Sequence, residues 1–142
     1  MAKFMTADEA VKLIKSGDHV FIQGSTSIPE VLSESMARRY SELRNVTVYN
    51  AFAVAKGPAP YTKPEMADSF FVDSFFVSNA VRQYIAEGNG SCIPRFLGEV
   101  PALFRDGTCP VDVALINCSV PDPDGYVSFG VSADLATSAV EC

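Results

Sequence analysis

The 142-residue chain contains 48% apolar and 20% charged residues, which is the composition of a globular domain and excludes a disordered segment. A chain of this length favours one domain with a sizeable core. The formal net charge is -6, and the eleven lysines and arginines are scattered, so nucleic acid is not an expected partner because phosphate binding needs clustered cations.

The N-terminal sequence predicts a capped helix. Thr6 and Glu9 have the spacing of a capping box, in which each side chain bonds a backbone N–H of the other. Apolar residues then recur at helical spacing as far as Ile14, and Gly17 is a plausible terminator.

A strand and a second helix follow. The strand is predicted over residues 19–23, and the turn after it leads to a second capping box formed by Ser27 and Glu30. Pro29 lies in the first helical turn, where its missing N–H costs nothing. This helix is predicted to end near Arg39.

The middle of the chain alternates between strand and helix patterns. β-branched and aromatic residues favour strands, and a near-continuous apolar run is typical of a strand buried on both faces. The predicted elements are strand 46–52, loop 53–64, strand 70–77, a helix at 80–87 capped by Asn79 and ended by Gly88, strand 91–94 and helix 100–104.

Residues 111–120 form the clearest strand pattern of the sequence. The apolar stretch lies between a proline and a turn, which predicts a central, buried strand. Val113, Leu115 and Ile116 are its expected core residues.

The C-terminal segment completes the fold prediction. Residues 121–125 are predicted to form a tight turn, and residues 126–131 to return as an antiparallel strand. A helix begins near Ala133 and still continues at Cys142, so we expect a chain cut inside a larger protein. Strands that alternate with helices imply an α/β fold class: an open, mostly parallel sheet flanked by helices and truncated at its C-terminal end.

Targeting and cysteine patterns favour a reducing compartment. No apolar run approaches the ~20 residues that span a bilayer, so no membrane partner is expected, and the N-terminus lacks the apolar core of a signal peptide. The four cysteines (Cys92, Cys109, Cys118 and Cys142) are widely spaced without a C-x-x-C pair. This spacing argues against disulfides and against a metal site, and we expect a cytoplasmic protein.

The junction of the first strand and second helix is the most suggestive candidate site. Gly24 permits close backbone approach, and the helix that starts near Pro29 offers free N–H groups to a carboxylate, a phosphate or a developing oxyanion. Every strand-to-helix connection needs such a turn, so from the residues alone an ordinary turn is the stronger interpretation. A single glycine is neither a dinucleotide fingerprint nor a P-loop.

Other candidate sites are weaker. His19 is the only histidine, and no G-x-S-x-G elbow accompanies it, so a Ser-His-Asp relay is not expected. Residues 122–125 resemble a calcium loop superficially, but the glycine has the wrong offset and turn chemistry explains them better. No pair of glutamates is placed for acid–base work.

Three stretches of the chain resemble the acetyl-CoA hydrolase/transferase family of class I CoA-transferases, which includes 4-hydroxybutyrate, propionyl and acetate types. They cover nearly the whole chain in the expected order. The stretches are residues 5–18 with the Gly24–Pro29 turn, residues 75–101 from Phe75-Phe-Val-Ser-Asn to Gly-Glu-Val-Pro101, and residues 111–132 with Gly125-Tyr-Val-Ser-Phe-Gly-Val-Ser132. Cys118 and the Asn89-Gly-Ser-Cys92 stretch depart from the family pattern, which bears on the substrate class.

The resemblance implies a mechanism and a site. Residues 1–142 correspond to an incomplete N-terminal domain, and the C-terminal domain carries the family's nucleophilic glutamate, so no catalytic residue is expected here. That glutamate attacks an acyl-CoA thioester, and covalent intermediates pass CoA to a carboxylate. Gly24, Ser25, Thr26 and Pro29 are the expected substrate-binding residues, forming one wall of the acyl pocket.

The resemblance also sets the expected ligands. Acyl-CoA and a short-chain carboxylate are the substrates, no cofactor is tightly bound, and the whole protein is expected to be a homo-oligomer. Two alternatives remain open. A hydrolase would use the same intermediate with water as acceptor, and a non-catalytic folding or assembly module would lack the second domain.

Overall fold

The computed structural model describes residues 3–54 and 56–142 as a five-stranded sheet with helices on both faces. The strand order is β4-β3-β2-β1-β5, and every pair of neighbours is parallel. The strands are β1 His19–Ile22, β2 Val46–Asn50, β3 Phe70–Ser74, β4 Gly90–Cys92 and β5 Val113–Leu115. This arrangement confirms the predicted α/β fold class with an open parallel sheet.

Short helices connect the strands. Each parallel pair of strands needs a crossover connection, and the helices and turns between strands provide it. The helices are α1 Ala7–Ala10, α2 Glu30–Arg38, α3 Arg82–Tyr84, α4 Val100–Arg105 and α5 Ala136–Glu141, with 3₁₀ turns at Val11–Leu13, Pro64–Met66 and Leu97–Glu99 and a π-helical turn at Ile85–Asn89.

The N-terminal capping box is confirmed, whereas the second one is wrong. The Glu9 N–H donates to Thr6 Oγ1 (3.3 Å), and the Thr6 N–H donates to Glu9 Oε2 (2.9 Å). In α2 the residue before the helix is Pro29, without any side-chain cap, and Ser27 belongs to the preceding turn. The chain bends through that turn, so Ser27 and Glu30 do not flank one helix start.

Alternation along the strands divides the core into two layers. Val20 and Ile22 pack with Val11, from the 3₁₀ turn after α1, and with Met36 of α2 on one face of the sheet. Phe21, between them, packs on the opposite face against Phe104 of α4 and Ala136 of α5. Because strand side chains alternate by two, each strand contributes to both layers, and the central strands are covered on both faces.

The predicted strand 111–120 is only three residues long and lies at an edge. β5 pairs with β1 alone, so the expectation of a central strand is wrong for the described chain. Leu115 is buried as predicted, but Val113 and Ile116 are half-buried. An edge strand is covered by fewer neighbours, which explains this partial exposure.

The predicted antiparallel strand at 126–131 is not formed. Within the described residues 116–131 the segment folds back as a loop, with the Ser119 N–H donating to Ser128 O (2.9 Å) and the Asp122 N–H to Tyr126 O (2.9 Å). These two bonds reverse the chain as expected at the Asp122–Gly125 turn, but they do not build a ladder.

None of the helices formed by residues 3–54 and 56–142 has the length and apolar character that a membrane span requires.

Candidate functional site

The carboxyl ends of all five parallel strands meet at one edge of the sheet. At this edge the contact between β1 and β2 continues beyond the regular strands, since the Ser25 N–H donates to Phe52 O and Ser25 forms a parallel bridge with Ala53. In open α/β sheets ligands bind in the crevice outside these ends. The edge therefore positions any site that the fold offers.

Gly24 is required by the backbone of the neighbouring strand. A Cβ atom at this position would lie 2.6 Å from Phe52 O and 3.2 Å from Phe52 N. Because two backbone segments cannot yield as a flexible side chain can, any larger residue displaces the turn. The observed close approach at Gly24 is thus to the backbone just after β2, which supports the interpretation of a structural turn.

The other three predicted site residues differ in their exposure and in their position relative to the sheet. Ser25 has a positive φ of 56°, which turns the chain sharply after β1 and brings the residue to the edge. Thr26 is exposed, and Pro29 is buried at the start of α2. Of the four predicted substrate-binding residues, Ser25 alone lines the main apolar cleft of this edge.

This cleft, which we call the edge cleft, has a volume of about 370 Å³. Phe52 follows β2 and Phe76 follows β3, and their rings meet edge to face with centroids 5.0 Å apart. Phe52 is 43% exposed and Phe76 is 57% exposed. The cleft is lined by Ser25, Ala51, Phe52, Phe75, Phe76, Arg95, Leu97, Val100, Ser132 and Asp134.

Two charged side chains border the edge cleft. Within residues 3–54 and 56–142, neither Arg95 nor Asp134 forms an ion pair with another side chain. Arg95 follows β4, and its guanidinium carries the geometry that binds carboxylates through two parallel hydrogen bonds. An apolar slot with an unpaired guanidinium at its border suits a short aliphatic acid.

Gln23 is a site-forming residue that the sequence did not reveal. Its side chain is fully buried, accepts from the Asn117 N–H at Oε1 (2.7 Å) and donates from Nε2 to Ser132 O (2.6 Å). One amide thereby joins both ends of the loop 117–132 to the end of β1. A buried polar residue inside an apolar strand was the available signal, because such a group needs partners.

The buried ionisable groups beneath the cleft are held neutral. Burial raises the pKa of the Cys109 thiol, and burial followed by the nearby thiol raises the pKa of Tyr49. Tyr49 packs between Phe75 and Phe104 in the aromatic layer. A neutral thiol is a poor nucleophile, so Cys109 has a packing role at neutral pH.

His19 lies at the opposite end of β1 from the cleft. Its ring Nδ1 lies 3.0 Å from Asp112 Oδ2, and its backbone N–H donates to the same oxygen (2.8 Å). These two contacts lower the pKa of Asp112, the backbone bond most strongly. The pair joins the first residue of β1 to the residue before β5.

The described residues include no cluster of three or more histidine, cysteine or acidic side chains that is arranged to hold a metal ion. The four cysteines are all free, and Cys109 is the buried one among them.

An open parallel α/β sheet with an apolar cleft beyond its strand ends is the architecture of proteins that bind small molecules at this edge. The family model described as the acetyl-CoA hydrolase/transferase N-terminal domain matches residues 1–142. The chain belongs to this family, as the sequence resemblance predicted.

Similar proteins carry CoA-transferase names. The 4-hydroxybutyrate coenzyme A transferase of Clostridium kluyveri is 34% identical over 98% of this chain and 32% of its own length. The succinyl-CoA:acetate/propanoyl-CoA:succinate CoA transferase of Fasciola hepatica is 33% identical over 94% of this chain and 28% of its own length.

A solved structure shares the fold. The 4-hydroxybutyrate CoA-transferase of Porphyromonas gingivalis superposes with a TM-score of 0.74 at 32% identity, covering 97% of this chain and 30% of that protein. The chain thus spans about a third of the length of the relatives it matches.

Proposed function

We propose that residues 1–142 are the incomplete N-terminal domain of a CoA-transferase that moves CoA between a short-chain acyl-CoA and a carboxylate. The observation that carries this proposal is the edge cleft with Arg95 at its border, in a chain of the acetyl-CoA hydrolase/transferase family. An apolar cavity of about 150 Å³ already holds a ring as large as benzene. A cleft of about 370 Å³ therefore has room for an acyl chain of a few carbons.

The nucleophile of the proposed reaction is a glutamate outside this chain. No glutamate lines the edge cleft within the described residues, whereas acyl transfer through an anhydride needs one at the thioester. That carboxylate attacks the thioester carbonyl, the carbon–sulfur bond breaks, and the CoA thiolate leaves. The thiolate then attacks the glutamyl carbonyl and releases the acyl group as a carboxylate, and an acceptor carboxylate takes the CoA by the reverse steps.

The first turn contributes shape and polar contacts to this site. Gly24 and Pro29 fix the path of the turn, and the Ser25 hydroxyl faces the acyl group. Thr26 is exposed beside it and meets the substrate or the second domain. Acyl-CoA and the carboxylate are the only ligands that the proposal requires, and no tightly bound cofactor takes part.

The test is a CoA-exchange assay on the protein that joins this chain to a glutamate-bearing domain. Arg95→Gln removes the proposed carboxylate anchor, and we expect the KM for the acceptor to rise about tenfold or more, since charge-assisted hydrogen bonds contribute about 1.5–3 kcal/mol. Arg82→Gln is the matched control, because Arg82 is exposed on α3 and does not line the cleft.

Three outcomes separate the proposals. An acceptor KM that Arg95→Gln leaves unchanged removes the edge cleft from substrate binding. Release of free CoA without any acceptor identifies a hydrolase with the same intermediate. Absence of both activities leaves the chain as a folding or assembly module.

A further inference from the structure

The residues that line the edge cleft differ in polarity according to their burial. The polar and charged ones are all half-buried or exposed, and they are Ser25, Arg95, Ser132 and Asp134. The buried ones are all apolar, and they are Ala51, Phe75 and Val100. The polar groups therefore belong to the mouth of the cleft, and we call the three buried apolar residues its floor.

The floor is part of the core layer that α4 and α5 cover. Ala51, Phe75 and Val100 pack in one cluster with Phe104, whose ring meets the Phe75 ring edge to face with centroids 5.7 Å apart. Ala51 and Phe75 are the first residues after β2 and β3. The Phe75 N–H donates to Asn50 O (2.9 Å), which holds the two strand ends together. The floor is thus built from packed core side chains on neighbouring strands.

The floor offers no partner to a polar substituent. Three buried side-chain polar atoms lack a hydrogen-bond partner within residues 3–54 and 56–142, and none of the residues that carry them lines the edge cleft. Burial of an unpaired hydroxyl is unfavourable, and burial of an unpaired carboxylate far more so. Each methylene that leaves water is favourable instead. The floor therefore selects an alkyl tail over a hydroxylated or charged one.

Ala51 has the smallest side chain of the floor. Phe75 is held against Phe104, and Val100 is fully buried at the start of α4. A larger side chain at position 51 would take volume from the floor, whereas a glycine would add the volume of one methyl group. The size of this residue therefore limits how far a tail can extend.

We propose that the floor of the edge cleft is a subsite for an unsubstituted alkyl tail, and that Ala51 sets the length of the tail it accepts. This inference rests on the proposed function, in which Arg95 at the mouth meets the carboxylate and the tail enters the cleft.

Butyrate and succinate are a matched pair of acceptors, because both have four carbons and only succinate ends in a second carboxylate. The assay uses propionyl-CoA as donor and the protein that joins this chain to a glutamate-bearing domain. We expect kcat/KM to be about 100-fold or more higher for butyrate than for succinate. 4-Hydroxybutyrate should fall between them, and acetate should be about tenfold below butyrate because it lacks two methylenes.

Variants at position 51 test the length limit. Ala51→Val adds two methyl groups to the floor and should lower the butyrate-to-acetate ratio of kcat/KM about tenfold or more, the usual effect of a methylene in an apolar pocket. Ala53→Val is the matched control, because Ala53 packs in the opposite core layer and does not line the edge cleft. Ala51→Gly should raise the hexanoate-to-butyrate ratio, a gain that poor folding does not produce.

The tail subsite and the transferase proposal fail in different ways. Equal kcat/KM for butyrate and succinate, or ratios that neither Ala51 variant changes, would overturn the subsite while CoA transfer remained. Absence of transfer to every acceptor would contradict the proposed function. The subsite is then tested by binding to the ¹⁵N-labelled 142-residue chain, where butyrate should give saturable shifts at Ala51 and Phe75 and succinate should not. Equal shifts with both acids would overturn it.

Discussion

Gly24 has no space for a side chain, whereas the adjacent Ser25 carries one in a backbone conformation that favours glycine. Gly24 lies against the Phe52 backbone, where the space for a Cβ is missing. Ser25 has a φ of 56°, a conformation that costs non-glycine residues roughly 1–2 kcal/mol. Ser25 also lines the edge cleft, so the strained residue lies at the proposed substrate site.

Cys109 should differ from the other cysteines in reactivity. It is 4% exposed, whereas Cys92, Cys118 and Cys142 are exposed, and burial raises the pKa of its thiol. Because the thiolate is the reactive form, iodoacetamide should label the three exposed cysteines first and Cys109 only slowly, with the contrast persisting as the pH rises to 8.5. Mass spectrometry of native protein, treated without reductant, measures the order.

The same experiment tests the expectation of free thiols. A peptide pair linked through sulfur would contradict it, and equal labelling rates at all four cysteines would contradict the burial of Cys109.

β5 shows that a strong strand pattern does not fix a strand's place in the sheet. Its apolar residues alternate between the two layers, with Leu115 in one and Ala114 in the other. The strand still pairs on one side only. Apolar character predicts burial of the side chains, while the neighbours of a strand depend on the path of the whole chain.

Leu115→Ala should cost about 2–5 kcal/mol in the free energy of unfolding, because large-to-small changes at buried positions remove contacts and leave a cavity. Leu115 is 5% exposed. Val120→Ala is the matched control, since Val120 is 82% exposed and surface changes stay within about 0.5 kcal/mol. Urea unfolding of both variants gives the comparison, and a cost for Leu115→Ala as small as the control's would argue against its burial.

Gln23 joins parts of the chain that are far apart in sequence. Its two hydrogen bonds reach Asn117 and Ser132, at separations of 94 and 109 residues. Ser132 and Asp134 line the edge cleft, so the amide also fixes one of its walls. The loop between Asn117 and Ser132 lies within the third of the stretches that resemble the family.

Gln23→Ala should loosen this loop. One hydrogen bond contributes about 0.5–1.5 kcal/mol, so amide hydrogen exchange at Asn117 should accelerate by up to about tenfold. Gln83→Ala is the control, because Gln83 is exposed on α3 and bonds only Glu87 in the described structure. If the two variants exchange at the same rate at Asn117, Gln23 does not hold the loop.

The isolated 142-residue chain should show no CoA transfer. The proposed nucleophile lies outside it, and no glutamate of the described residues lines the edge cleft. Incubation of purified chain with acetyl-CoA and propionate, followed by chromatography of the CoA esters, should show no propionyl-CoA above buffer. Turnover that persists through further purification steps would show that the chain contains its own catalytic group.

The sequence by itself determined the fold class, the family and most elements. Alternating strand and helix patterns are local properties, and the Thr6–Glu9 capping box depends on residues three apart, so both are readable without the fold. Only the tertiary structure decided the edge position of β5, the partners of Gln23 and the lining of the edge cleft. Each depends on contacts between segments distant in the chain, such as Gly24 against Phe52, and no local pattern encodes which segments meet.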